Sequence, residues 1–230
     1  MGDDNCCNSF EIICVMRRIL NVVFDFDGTL ADTAPLIVET MRGAMAELGL
    51  PGREERVLRA SIGLRLEEVP AVVWPGAGVD GELFARTYRR IFEERKEGMK
   101  VSLFRGVEDT LRWLYKAGIG MAIATSRSRR SLEEYLERLG VRGLFAMTVG
   151  GDDVSRGKPD GEPVEKILQA LGWEAERTLT VGDAPVDVAM GRAASTLTCG
   201  VTYGNCSREL MSKSRPDYLF DDFGALYVIL

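Results

Sequence analysis

Histidine is absent from all 230 residues of the chain. Without an imidazole, neither a Ser-His-Asp nor a Cys-His nucleophile can be assembled, and histidine-ligated zinc is excluded. Any resident metal has to be held by oxygen, which points to magnesium or a similarly hard cation. An excess of positive charge is also missing. The 29 Lys and Arg against 35 Asp and Glu leave a net charge of −6, the reverse of the basic face that nucleic-acid binding uses. No apolar run approaches membrane-spanning length. The short run from Phe10 to Val15 follows acidic Asp3 and Asp4, where a signal peptide would want a basic start. Residues 1–15 read as an N-terminal extension, disorder being one reading of them. There is no internal repeat and no low-complexity tract. Five cysteines (Cys6, Cys7, Cys14, Cys199 and Cys206) are an odd number without metal spacing, as expected of reduced thiols in a cytoplasmic protein.

What is present is enough apolar material, 46% of residues, for a substantial core, and one stretch that combines it with charge. Val22-Val23-Phe24-Asp25-Phe26-Asp27-Gly28-Thr29-Leu30 runs from a short apolar segment into two carboxylates and a turn signal. Such a run predicts a strand buried on both faces. Asp25 and Asp27 then stand at its carboxyl end, where open parallel sheets place ligands. Strand alternation puts the two on one side and Phe24 and Phe26 on the other. Two anions so close repel unless a cation or proton intervenes.

After this strand, Asp32 and Thr33 are capping candidates and Pro35 fits a first helical turn. Helical spacing runs from Leu36 to Leu48, then over 54–62, 64–73 and 80–97, and no strand is expected between 31 and 100. From residue 101 strands and helices alternate: helices 107–116, 130–139, 162–171 and 186–194, strands 119–125, 145–149, 178–181, 197–201 and 218–220. That alternation predicts an α/β fold, a Rossmann-like parallel sheet. The gap of about seventy residues after the first strand exceeds an ordinary crossover. An all-helical cap domain at 32–100 is therefore expected, inserted into a core of 16–31 and 101–230.

The polar residues at the predicted strand ends form an ordered set: Asp25-Phe26-Asp27-Gly28-Thr29, then Thr125-Ser126-Arg127, then Gly157-Lys158-Pro159, then Gly182-Asp183 with Asp187 four residues on. In this order and character they resemble the four motifs of the haloacid dehalogenase-like hydrolases, over about residues 19–225. The helical insertion, Leu103-Phe104-Arg105-Gly106-Val107 and Lys158-Pro159-Asp160-Gly161-Glu162-Pro163 are similar to the phosphoglycolate phosphatase-like members. Gly161 stands where those have a middle proline, and Arg127 where they usually have lysine. Asp27 argues against dehalogenases and phosphonate hydrolases, which resemble this fold but lack the second aspartate.

The resemblance implies a magnesium-dependent phosphatase acting on a small phosphorylated metabolite, with phosphoglycolate or a sugar phosphate as candidates. It makes Asp25 the nucleophile and Asp27 the general acid and base. Magnesium would be held by Asp25, the main-chain carbonyl of Asp27, and Asp183. Asp187 would be a further ligand or a carboxylate just behind, or else only a first-turn acid favoured by the helix dipole. Thr125, Ser126 and the Gly28 backbone would bind substrate, and Lys158 would neutralise nucleophile and phosphate. The chemistry agrees with the residue types. A carboxylate can carry a phosphoryl group, splitting one displacement into two. Four carboxylates at low dielectric need cations: one magnesium and Lys158 offset three of the four charges.

Substrate choice is expected in the cap, where Arg65 of Gly63-Leu64-Arg65-Leu66-Glu67-Glu68 could bind a carboxylate or second phosphate. The Arg127–Arg130 cluster reads as a solvated face, and Trp74, Trp113 and Trp173 as packing residues. A sugar phosphomutase of the beta-phosphoglucomutase type and an inorganic pyrophosphatase are the alternatives, and Thr125 favours hydrolysis over the mutase. A non-enzymatic binding module would not need every catalytic position filled. Neither nucleic acid nor membrane is expected as a partner, and monomer and homodimer are both compatible with the chain.

Overall fold

The short apolar runs with β-branched and small residues become the strands of one sheet. In the computed structural model, which describes residues 19–230, β1 (Asn21–Phe24) is flanked by β4 (Gly120–Ala124) and β6 (Thr178–Gly182), parallel to both. The expectations about residues 1–15 and three of the five cysteines lie outside the described residues. With β5 (Met147–Val149), β7 (Leu197–Val201) and β8 (Tyr218–Phe220) the sheet has six parallel strands in the order β5-β4-β1-β6-β7-β8. Val22, Val23 and Phe24 are fully shielded from solvent, as a central strand covered on both faces requires. Phe24 meets Phe145 and Phe223, with ring centroids 6.4 and 5.6 Å away.

The order carries a functional consequence. From β1 the chain builds outward through β4 and β5, then returns to the other side of β1 and builds through β6, β7 and β8. That reversal leaves a crevice beyond the carboxyl ends of β4, β1 and β6, the place where such sheets bind ligands. The crossover helices are α5 (Val107–Lys116), α6 (Arg129–Arg138), α7 (Glu162–Leu171) and α8 (Pro185–Ala193). A short α9 (Arg208–Lys213), not expected from the sequence, precedes β8.

Between β1 and α5 lie four helices: α1 (Ala34–Glu47), α2 (Glu55–Ala60), α3 (Val69–Val73) and α4 (Gly81–Arg95). Their base is closed by a two-residue antiparallel ribbon, β2 (Ala31–Asp32) with β3 (Ser102–Leu103). The ribbon corrects the expectation of no strand after residue 31; pairs this short carry no periodic signal. Thr33 stands at the α1 N-cap, yet its hydroxyl makes no capping bond. Asp80 does cap α4, accepting from the amides of Glu82 and Leu83 at 2.9 and 3.2 Å.

On α4, Phe84, Tyr88 and Phe92 recur every four residues and so form one stripe. Trp74, whose indole N–H donates to the Pro51 carbonyl at 2.8 Å, begins a row of rings. The row runs through Phe84, Tyr88 and Phe92 to Tyr135 of α6 and Phe26, with centroids 5.8 to 6.4 Å apart. The helical insertion is thus packed onto the end of the central strand. Trp74 and Trp173 are packing residues; Trp113 is 39% exposed and meets Tyr227 edge-on at 4.7 Å. Among the described residues no helix is long and apolar enough to cross a membrane.

Candidate active site

Past the end of β1 the chain must turn at once, and Gly28 with φ +96° makes that turn. A Cβ there would lie 2.3 Å from Asp183 Oδ2 and 2.2 Å from Asn205 Nδ2. Gly28 therefore admits Asp183, from the end of β6, against the Asp25–Asp27 turn. Gly28 is not among the residues that line the cavity described below.

Asp25, Asp183 and Asp187 present carboxylate oxygens that all lie within 4.8 Å of one another, and all three residues are buried. Lys158, delivered by the loop before α7, is 3% exposed. Its ammonium donates to Asp25 Oδ1 and pairs with Asp187 Oδ1 at 2.7 Å. Asp187 packs where a side chain on Gly182 would collide with it, and its Oδ2 accepts the Ala184 amide at 3.0 Å. The acid that starts α8 is therefore also the acid that faces Lys158. Asp183 is held by the Asn205 amide at 2.6 Å and the Thr29 hydroxyl at 3.2 Å.

Burial pushes the Asp25 carboxyl well above the usual range; Lys158 opposes this, while Asp187, Asp183 and Asp27 add to it. Burial and then Asp187 raise Asp183 to about 7, against the Asn205 amide. Burial alone would lower Lys158, but Asp187 and Asp25 reverse that and hold it above its ordinary value. Three carboxylates around one ammonium amount to two uncompensated negative charges when all are ionised. A hard oxygen donor set of this charge fits a divalent cation such as magnesium.

Asp27 behaves differently. Arg127 binds it with two bonds, Nε to Oδ2 at 3.1 Å and Nη2 to Oδ1 at 2.6 Å, while Nη1 donates to Ser131 at 2.9 Å. The guanidinium lies 5.0 to 5.8 Å from the rings of Tyr135, Phe92 and Phe26. The reading of Arg127 as part of a solvated face is thus overturned: its side chain is 8% exposed. Burial would lower its pKa, but Asp27 more than offsets this and raises it. Arg127 is paired because a buried guanidinium needs a partner. The Asp27 carboxylate is outside the carboxylate group named above, and its main-chain carbonyl has Asn205 Nδ2 3.4 Å away. No motif marks Asn205, and none marks Arg127 as buried. The only signal for Asn205 was its position a few residues beyond β7.

Above Asp25 lies a cavity of about 300 Å³ between sheet and helical insertion. Thr125 and Ser126, at the end of β4, line its core side. Ser126 also donates to the Gly63 carbonyl of the insertion at 2.6 Å. Arg65 lines the cavity too, with Nη1 donating to the Ser155 carbonyl at 3.1 Å and its shaft laid over Gly157. Asp25, Asp27, Thr125, Ser126 and Arg65 therefore meet at one cavity, with Lys158, Asp183 and Asp187 packed together behind Asp25.

The family model of haloacid dehalogenase-like hydrolases matches residues 22–201, and the chain belongs to that family. Among its curated relatives is the phosphoglycolate phosphatase of Salmonella paratyphi A, 32% identical over 234 residues that cover 92% of each chain. The phosphoglycolate phosphatase of Yersinia pseudotuberculosis is 32% identical over 215 residues, 91% of this chain and 92% of its own. The crystal structure of a predicted phosphoglycolate phosphatase from Haemophilus somnus superposes with a TM-score of 0.81 over 92% of this chain and 97% of that one. At its 24% identity that likeness is one of fold.

Proposed function

We propose that the protein is a magnesium-dependent phosphatase that hydrolyses a small phosphorylated metabolite through a phosphoryl group carried on Asp25. The observation that carries this reading is the charge balance at the carboxyl end of β1. Arg127 takes up the charge of Asp27, and Lys158 offsets one of the three remaining carboxylates, so one divalent cation would complete the site. Asp25, Asp183 and the Asp27 carbonyl would hold that cation, with Asp187 as the third carboxylate facing it. When bound, it supplies positive charge beside the nucleophile and the phosphoryl oxygens.

The chain's own groups do the rest. An oxygen of Asp25 attacks phosphorus, and the bond from phosphorus to the ester oxygen breaks. Asp27 gives a proton to the departing alkoxide, then takes one from the water that attacks phosphorus and frees Asp25. For this, Asp27 has to take up a proton from solvent before the first step, and one of its oxygens has to leave the guanidinium of Arg127. Thr125 and the Ser126 backbone hold phosphoryl oxygens, and Lys158 keeps positive charge on Asp25 as negative charge builds nearby. The helical insertion, as a cap domain spanning 32–100, excludes bulk water from these steps. Free thiols at Cys199 and Cys206 suit the cytoplasm as the compartment.

The phosphatase names of relatives at 32% identity support the reaction class, and a substrate like theirs, phosphoglycolate, or a sugar phosphate is the starting panel. The test is to incubate the protein with such esters, with and without magnesium, and to measure free phosphate and isomerised sugar phosphate together. Magnesium-dependent release of phosphate is expected. Isomerised sugar without phosphate would replace the phosphatase by a mutase, and inorganic pyrophosphate cleaved in preference to every ester would replace it by a pyrophosphatase.

A further inference from the structure

One polar side chain that the helical insertion turns toward the cavity differs from its neighbours. Arg65, Arg89 and Glu93 are half-buried or exposed, so water completes whatever bonds the chain leaves them. Ser61 is buried and donates to the Leu58 carbonyl at 2.8 Å. Tyr88 of α4 is only 7% exposed, lines the cavity, and makes no hydrogen bond with any described residue. A buried hydroxyl without a partner is costly, and buried tyrosines ordinarily find one. Water that fills the cavity can accept this donor, and an oxygen of a ligand can replace that water.

The ring that carries the hydroxyl is held in advance. Tyr88 stands between Phe84 and Phe92, with centroids 6.4 and 6.0 Å away, and is stacked on the second. Phe92 in turn has the Arg127 guanidinium 5.2 Å from its centroid. A tyrosine has few torsions to fix, and neighbours on both sides fix them here, so little further ordering accompanies binding. Burial pushes the phenol above its ordinary value; Arg127 opposes this, while Asp27 and Tyr135 add to it. The group therefore stays protonated and remains a donor.

Asp25, Thr125 and Ser126, which would take the phosphoryl end, come from the ends of β1 and β4, whereas Tyr88 comes from the insertion. We propose that Tyr88 is a specificity-determining residue whose hydroxyl donates to a second oxygen on the alcohol that the substrate releases. The donor is uncharged, so a hydroxyl, carbonyl or carboxylate oxygen serves equally as its acceptor. This rests on the phosphatase reading above and deepens it.

The test compares the full chain with Tyr88→Phe, which keeps the row of rings and removes only the hydroxyl. With magnesium present, kcat/KM is measured on phosphoglycolate, glycerol 3-phosphate and glucose 6-phosphate. Ethyl phosphate and the reactive ester phenyl phosphate, neither with a second oxygen on the alcohol, are the references. Each ester is compared with itself between the two proteins, so differences in leaving group cancel. On the oxygenated ester that the unaltered protein turns over best, Tyr88→Phe should lose about fivefold or more, the scale of one hydrogen bond. On the references it should change by less than about twofold. The midpoint of urea unfolding without substrate should stay level or rise, since no bond within the chain is lost. Equal losses on esters with and without the second oxygen, or no loss on any, would overturn the inference, and so would a lowered midpoint. Phenyl phosphate cleaved but none of the oxygenated esters would overturn it too and leave the phosphatase standing. Release from none of the five would overturn the phosphatase reading itself.

Discussion

At the floor of the cavity three carboxylates crowd a single ammonium, whereas Asp27 beside them and Glu67 on the opposite wall each have their own guanidinium. The floor comes from the ends of β1 and β6 and the loop before α7; much of the wall comes from the helical insertion. The floor is thus short of positive charge and the wall is not. Positive charge brought by a ligand is wanted at the first, where the carboxylates outnumber the ammonium. On the proposed reading, phosphoryl transfer belongs to the floor and choice among substrates to the wall. Arg127 stands where the two regions join, bound to Asp27 and ringed by Phe26, Phe92 and Tyr135.

The largest way to break this contrast is at the floor itself. Asp25→Asn removes the proposed nucleophile while keeping its shape, and phosphate release should fall by more than about 10⁴-fold with unchanged circular dichroism. At the junction, Arg127→Ala leaves the Asp27 carboxylate without its cation and opens space among three rings. Urea unfolding should show a loss of about 3–5 kcal/mol, and Arg127→Lys, which keeps the charge but not the two-pronged fit, should lose less.

Removing metal sharpens the contrast through pH. Asp183 sits at about 7 in the fold against an ordinary 3.8, so between those values the folded state binds more protons than the unfolded. Its contribution is then fully present at low pH and is lost as pH rises through about 7. Asp25, raised by burial, adds in the same direction. The melting temperature of metal-free protein should therefore fall across this window, while the rise produced by magnesium should grow. A magnesium effect that shrinks with rising pH would contradict it. The smallest effect is at the wall: Arg65→Ala loses one hydrogen bond from insertion to core. It should cost about 0.5–1.5 kcal/mol in the same unfolding experiment and leave the magnesium-induced shift in melting temperature as it was.

The floor was legible in the chain because local patterns generate it. β7, β8, α5 and α7 fall at the residues their periodicity predicts. Asp25, Thr125 and Asp183 could be aligned because each directly follows a strand, and Lys158 because its Gly157-Lys158-Pro159 turn comes shortly before α7. The wall was less legible because its features depend on contacts across the sequence. Arg127 reads as solvated beside Arg129 and Arg130; only the approach of Asp27, 100 residues away, and of Phe92 buries it. The helix expected over 64–73 is confined to Val69–Val73. Gly63 adopts φ +100°, and bonds from Ser126 and to Ser155 draw residues 63–65 toward the core. Asn205 reaches Asp183 through a loop with no motif of its own.

The most direct measurement asks where the phosphoryl group goes. The protein is mixed with magnesium and a phosphorus-labelled ester that it turns over, quenched in acid within the first turnovers, digested, and the labelled peptide identified. Label on the peptide containing Asp25, absent in Asp25→Asn and lost on chase with unlabelled ester, is the predicted result. Phosphate released at full rate with no labelled Asp25 at any quench time, or label on another residue, would contradict it.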